Sequence, residues 1–343
     1  MSLIQAFIQS DRVYPFSLYA GIGACLLLVI LMVAVGPYSA HIDFLPDEGF
    51  AWYYWQLPER STVAFYTAWG GYFAHQFFAW WVIAKAKRLR PKYKAGLHPI
   101  NLLALAGNGF FILLHIAQTK LWYDGLAQTV SNFSAQMSVI FMLVIILIME
   151  TPRRGLFFGR KVPLGKTAIE FLRRYHGYYF SWAIIYTFWY HPIELTNGHI
   201  LGFFYIFALL LQGSLFFTKF HRNRYWTAFL EGFVLVHGAT VAYLSAEQGL
   251  RAAMMFFTGF LTLMVVTQIH GLGLSKRAIW TCVAAYAAII GGLIVAGVVA
   301  PSAIIRIPVV EYGLVLIVAL LLTGTLWLWR RLSGRPPEAE PAG

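Results

Sequence analysis

The chain has 343 residues, of which 59% are hydrophobic and 17% aromatic; only 12% are charged, about half the usual share for a soluble domain. That balance leaves no room for a separate soluble catalytic domain, so any chemistry must sit between helices or on short loops. The formal net charge of +12 is divided among several loops, which argues against a nucleic-acid partner and for contact with anionic headgroups.

Apolar runs, taken in chain order, predict helices near 16–36, 61–84, 98–121, 132–150, 175–191, 199–218, 225–246, 251–271, 277–299 and 309–330. Each approaches the ~20 residues that a hydrocarbon layer of ~30 Å requires at ~1.5 Å per residue. The expected fold class is an all-α integral membrane protein with about ten transmembrane helices, one polytopic domain over 1–332. The first run follows a short polar start without a small-residue cleavage pattern and reads as a retained helix. The tail 333–343 is polar and Pro-rich and is expected to be disordered. Cys25 and Cys282 lie far apart in apolar runs and suggest neither a disulfide framework nor a thiolate metal site.

Loop charges predict the orientation. Of the 26 basic residues, all but Arg60, Lys120, Arg251 and Arg306 fall on one side of this threading. The opposite side carries Asp43, Asp47, Glu48, Glu59, Asp124, Glu194, Glu247 and Glu311. The positive-inside rule then makes the basic side and both termini cytoplasmic, as in a bacterial-type inner membrane. The outer loop after the first helix contains the run from Phe50 to Trp55, including Trp52, Tyr53 and Tyr54, which could stack on a ring-shaped ligand or anchor the second helix at the interface.

A weak parallel repeat is suggested by two strings, Gly109 to His115 and Gly232 to His237, each followed by a Gly-Leu pair, Gly125-Leu126 and Gly249-Leu250. It would relate 16–150 to 175–271, four helices each, with the two C-terminal helices within 277–330 added. His115 and His237 become counterparts in the outer half of the bilayer.

Histidines fall in two layers. His115, His237, His191, His199 and His41 lie toward the outer side, His98, His176, His221 and His270 toward the cytoplasm, and His75 near the middle of its helix. Two such layers are what a di-haem b-type cytochrome needs for axial imidazoles. His176 and His191 are ~22 Å apart and turned by ~60°, which suits stacked haems, whereas His98–His115 and His221–His237 are turned by roughly 260° and 160° and do not. Most histidines at helix ends are expected to bind headgroups or cap carbonyls. Glu231 is expected to be the only acid well inside a span, where it needs a partner, a proton or water.

No HExxH, membrane di-iron histidine cluster, Walker A loop or GxSxG elbow is present in the sequence. Three readings follow. The first is a haem b or quinone-linked redox protein whose cofactor is held by His115 and His237, with His176 and His191 as further candidates. The second is an ion- or proton-coupled secondary transporter of a small molecule, with Glu231 and His75 in the substrate or proton site. The third is a lipid-modifying enzyme or an assembly factor.

Overall fold

The computed structural model describes residues 13–39, 42–46, 53, 55–245 and 249–333, with side chains from residue 18 on, Ser245 excepted. His41, Phe50, Trp52, Tyr54 and the tail beyond 333 lie outside the described residues. Ten α-helices and four short 3-10 turns, with no strand, are found among the described residues. The helices are α1 (Val13–Val35), α2 (Thr62–Leu89), α3 (Pro99–Trp122), α4 (Asn132–Arg154) and α5 (Lys166–Tyr190), then α6 (Asn197–Ser214), α7 (Arg224–Ser245), α8 (Gly249–Val266), α9 (Lys276–Val295) and α10 (Pro301–Leu332). Seven of them, α1, α3, α4, α7, α8, α9 and α10, are long and apolar enough to cross a membrane. The chain is therefore read as a multi-pass helical membrane protein.

Local chemistry explains where helices begin. Ser61, Thr196 and Ser275 accept hydrogen bonds from the backbone N–H of Ala64, His199 and Ala278, capping α2, α6 and α9. His98 and Asn101 form a reciprocal capping box at α3, with Pro99 at the first helical position. Pro301 opens α10 in the same way.

Two starts differ from the sequence reading, and both for a physical reason. α5 begins at Lys166 rather than near 175, because the charges of Lys166, Glu170, Arg173 and Arg174 interrupt the apolar run without interrupting backbone hydrogen bonding. α10 begins at Pro301 rather than near 309, since a proline in the first turn lacks only an N–H that would be unpaired anyway. Pro308 lies inside α10, and Glu311 follows within a turn.

The chain divides into two compact units, the first made of Met1–Val139 and Gly177–Phe257, the second of Ile140–His176 and Thr258–Gly343. These bounds differ from those of the expected repeat. In the first unit α2 packs on α3, and α6 packs on α1, α3 and α7. The Trp189 ring of α5 occupies the place a side chain at Gly71 of α2 would need. In the second unit α8 lies so close to α10 that a Cβ at Gly259 would meet the Ile307 side chain at 2.8 Å. Tyr286 of α9 bonds Thr262 of α8 at 2.7 Å, and the segment after α4 is pinned by a Phe158 N–H bond to the Val266 carbonyl at 2.7 Å. Large apolar side chains, Trp280, Leu320 and Leu321 among them, point outward, as lipid-facing positions do.

Candidate functional site

The first unit holds a set of buried polar residues whose hydrogen bonds can be followed atom by atom. Trp189 Nε1–H donates to His75 Nδ1 at 3.2 Å, and His75 Nε2 faces Asn108 Oδ1 at 2.8 Å. Asn108 Nδ2 donates to Ser214 Oγ at 2.8 Å, and Ser214 donates to the Leu210 carbonyl at 2.7 Å. Every donor meets an acceptor if His75 is neutral with its proton on Nε2. The ring is also stacked on Phe111 at 4.4 Å. His75 therefore ties α2, α3, α5 and α6 together and has no free nitrogen for a substrate. Asn101, fully buried one turn into α3, donates to the carbonyls of Ser214 and Phe216 at 2.8 and 2.9 Å, where α6 ends with unpaired backbone acceptors.

His115 is different. Its Nδ1 lies 2.9 Å from Gln118 Oε1 and its Nε2 lies 2.9 Å from the His191 carbonyl oxygen. Gln118 cannot readily turn its amide round, because its Nε2 already donates to the Tyr123 and Asp124 carbonyls at 3.1 and 3.3 Å. Both nitrogens of a fully buried ring thus face acceptors. A neutral imidazole has one N–H and satisfies one of them; an imidazolium satisfies both.

The His191 carbonyl leads to an outer cage. The His191 and His199 rings are 5.9 Å apart, and Tyr53 packs edge-on against His191 and Tyr190, each at 5.3 Å. Tyr53 Oη is 2.8 Å from His199 Nε2, and His199 Nδ1 is 2.8 Å from Thr196 Oγ1. Burial, reinforced by the negative charge of Asp124 and Glu194, pushes the Tyr53 hydroxyl well above the usual phenol range, so it keeps its proton. His237 of α7 rests on Gly202 of α6, where a Cβ would come within 2.9 Å of its Cε1. His237 Nδ1 is buried without a hydrogen-bond partner. The Tyr205 ring lies 6.4 Å from that of His237 and also feels the charge of Glu231.

The loop between α3 and α4 closes this end. Tyr123 and Asp124 both adopt positive φ, 58° and 57°, a conformation costing about 1 kcal/mol or more per residue. The turn is held by Tyr123 Oη donating to the Trp55 carbonyl at 2.9 Å and by Asp124 accepting from Leu57 N–H at 3.1 Å and Gly125 N–H at 2.7 Å. Gly125 is required here because a Cβ would lie 2.5 Å from the Trp189 carbonyl oxygen. Burial pushes the Asp124 carboxyl up to about 6, against the opposing effect of its two N–H donors. Beside it Lys120 Nζ donates to Ser39 Oγ and the Ile193 carbonyl at 2.7 and 2.8 Å, with Glu194 at 4.0 Å.

Of the residues singled out from sequence, His115 and His191 meet through the His191 carbonyl, while His237 packs against Gly202 of α6. His75 lies one network deeper. Glu231 lies close enough to Tyr205 for its charge to act on that ring. His176 belongs to the second unit, where its Nδ1 bonds the Arg173 carbonyl at 2.9 Å.

A haem ligand needs a nitrogen lone pair directed at the iron and usually an acceptor behind the other N–H. His191 has that form, with Nδ1 held by the Thr187 carbonyl at 2.8 Å. His115 would have to give up one of its two bonds. No group of three or more His, Cys, Asp or Glu gathers as an ion site among the described residues. Sequence reasoning missed Asn101, although Asn101, Asn108 and His115 repeat every seven residues and so share a face of α3. It also missed Thr196, whose Thr-x-x-His spacing is that of a helix cap. No family model, curated protein or solved structure matches the chain.

Proposed function

We propose that this chain is a proton-coupled membrane transporter of a small molecule, with His115 as the proton-binding switch of its first unit. The single observation that carries the reading is the pair of acceptors, Gln118 Oε1 and the His191 carbonyl, on the two nitrogens of one buried ring. With a second proton the ring makes two charge-assisted bonds. When that proton leaves, a lone pair is turned toward one acceptor and that contact opens. If the bond to the His191 carbonyl opens, the cage of His191, His199 and Tyr53 is released from α3. Binding a proton and opening the outer cage are then two views of one equilibrium. Glu231, Tyr205 and His237 supply a route by which protons reach the cage from deeper in α7.

The transmembrane arrangement belongs to the same reading. Beyond the seven helices of sufficient apolarity, α2, α5 and α6 also cross, giving ten spans with both termini in the cytoplasm of a bacterial-type inner membrane. The exposed stripe of Tyr66, Phe73, Phe77 and Trp81 along α2 supports this, because such a face suits lipid and interface better than water. The pairing of α2 with α3 and of α6 with α7 supports the four-helix repeat.

The test is proton movement into vesicles containing the reconstituted protein and a trapped pH dye, driven by an imposed membrane potential. Uptake that is abolished in His115→Gln and Glu231→Gln while both variants insert normally supports the reading. Equal uptake in the wild type, both variants and protein-free vesicles rejects it.

The redox reading stands second, and His191 favours it: a ring oriented by a backbone carbonyl, beside the unpartnered Nδ1 of His237. These two residues would hold a haem b or bond a quinone oxygen, and the group would supply electron transfer when bound. A reduced-minus-oxidised visible spectrum with a b-type band, lost in His191→Ala, would establish it; a spectrum without the band would remove haem.

A further inference from the structure

The second unit contains an intramembrane carboxyl that the sequence reading placed on the outer surface. Glu311 lies on the stripe Ile304, Pro308, Glu311, Val315 and Ala319, the buried residues of α10. Its residue exposure is 4%, its Oε2 is buried without a hydrogen-bond partner, and it enters no ion pair among the described residues.

The protons nearby are already assigned. Thr267 donates its hydroxyl proton to the Leu156 carbonyl at 2.6 Å. The contact between Thr267 Oγ1 and Tyr312 Oη at 2.7 Å must then use the Tyr312 proton. Gln268 Oε1, the neighbour of Thr267, is a second buried acceptor without a partner. Glu311 and Gln268 thus each present a buried acceptor without a hydrogen-bond donor near the junction of α8 and α10.

Among the described residues no ion pair joins Glu311 to the charged groups of the surrounding elements. Arg154, at the end of α4, exerts its charge on Tyr312. Tyr286 of α9 is bonded to Thr262, His270 packs on Phe158, and Arg306 lies more than a turn away on α10 itself. A carboxyl that carries its own proton removes a buried charge and gains a donor in one step.

We propose that Glu311 is a proton-binding site of the second unit, independent of the His115 reading. It holds a proton as a carboxylic acid within the membrane span and exchanges it when the α8–α10 contact loosens. Pro308 frees the Ile304 carbonyl from the helix ladder one turn earlier, which gives that contact a place to loosen.

The experiment is labelling of the full chain, in detergent and in phosphatidylcholine vesicles, with dicyclohexylcarbodiimide, followed by peptide mass spectrometry. The carboxyl proton passes to a carbodiimide nitrogen while the carboxylate oxygen bonds to the central carbon, so the reaction consumes a protonated carboxyl. Glu311 should be modified at least tenfold faster than Glu150 or Glu170, more slowly as pH rises, and equally with or without sodium chloride. Glu311→Gln should lose the label and Glu311→Asp keep it.

An unlabelled Glu311 in folded wild-type protein would overturn the proposal. Protection by sodium at constant pH would also overturn it, since the ligand would then be a metal cation. Infrared spectra of the wild type give a check that needs no variant to fold: a protonated-carboxyl C=O band that shifts in deuterium oxide supports the proposal, and its absence contradicts it.

Discussion

Two polar clusters, one in each unit, are buried in opposite ways. In the first, His75, Asn108, Ser214 and Asn101 form a closed sequence of donors and acceptors in which no proton is missing. In the second, Glu311 and Gln268 each leave an acceptor atom unpartnered. A satisfied network in lipid acts as glue, worth about 1 kcal/mol per bond, and holds one arrangement. An unsatisfied carboxyl stores a preference for a proton. His115 stands between these cases: its surroundings are complete in one protonation state and incomplete in the other.

The largest effect is expected from His115→Gln, which removes the ability to hold two donors; proton uptake by vesicles should fall more than tenfold. Asn101→Leu should come next, since it strips the end of α6 of two bonds and the start of α3 of a third. A loss of about 3 kcal/mol is expected, read as a lower unfolding midpoint in detergent.

The Asp124 carboxyl tests the outer loop by its pH dependence. Its folded value of about 6 lies above the ordinary 3.8, so the folded state binds the proton more tightly. Its stabilising contribution is present below pH 4 and is lost as pH rises to 6. A shift of this size amounts to roughly 2–3 kcal/mol. Thermal unfolding across this window should show the decline in the wild type and lack it in Asp124→Asn.

Gly202→Ala should give the smallest effect. Its new Cβ would crowd the His237 ring and cost about 1 kcal/mol, with a measurable drop in uptake. An unchanged midpoint and uptake would show that His237 does not need its present position.

Much of the helical frame was legible: the ten apolar runs overlap the ten helices among the described residues, of which seven are long and apolar enough to cross a membrane. The failures share one cause. Apolarity reports where a helix suits lipid, not where its hydrogen bonds begin, and α10 starts at Pro301 and continues through Pro308, ahead of the apolar run near 309–330. That error moved Glu311 from the helix interior to the surface.

His115 and His237 were recognisable as candidates for an outer site and His191 as a further candidate near a helix end. Their relation was not, because His115 reaches His191 through a backbone carbonyl, which carries no sequence signal. Tyr53 was visible only as part of an aromatic run, and its bond to His199 depends on how the outer loop folds back.

The measurement that bears most directly on the account is solid-state nitrogen NMR of histidine-labelled protein in bilayers, compared with His115→Gln. The account predicts a resonance from a doubly protonated ring that is absent in the variant, while the His75 pair of signals stays neutral in both. Spectra in which every buried histidine is neutral and the variant removes only a neutral pair would contradict it.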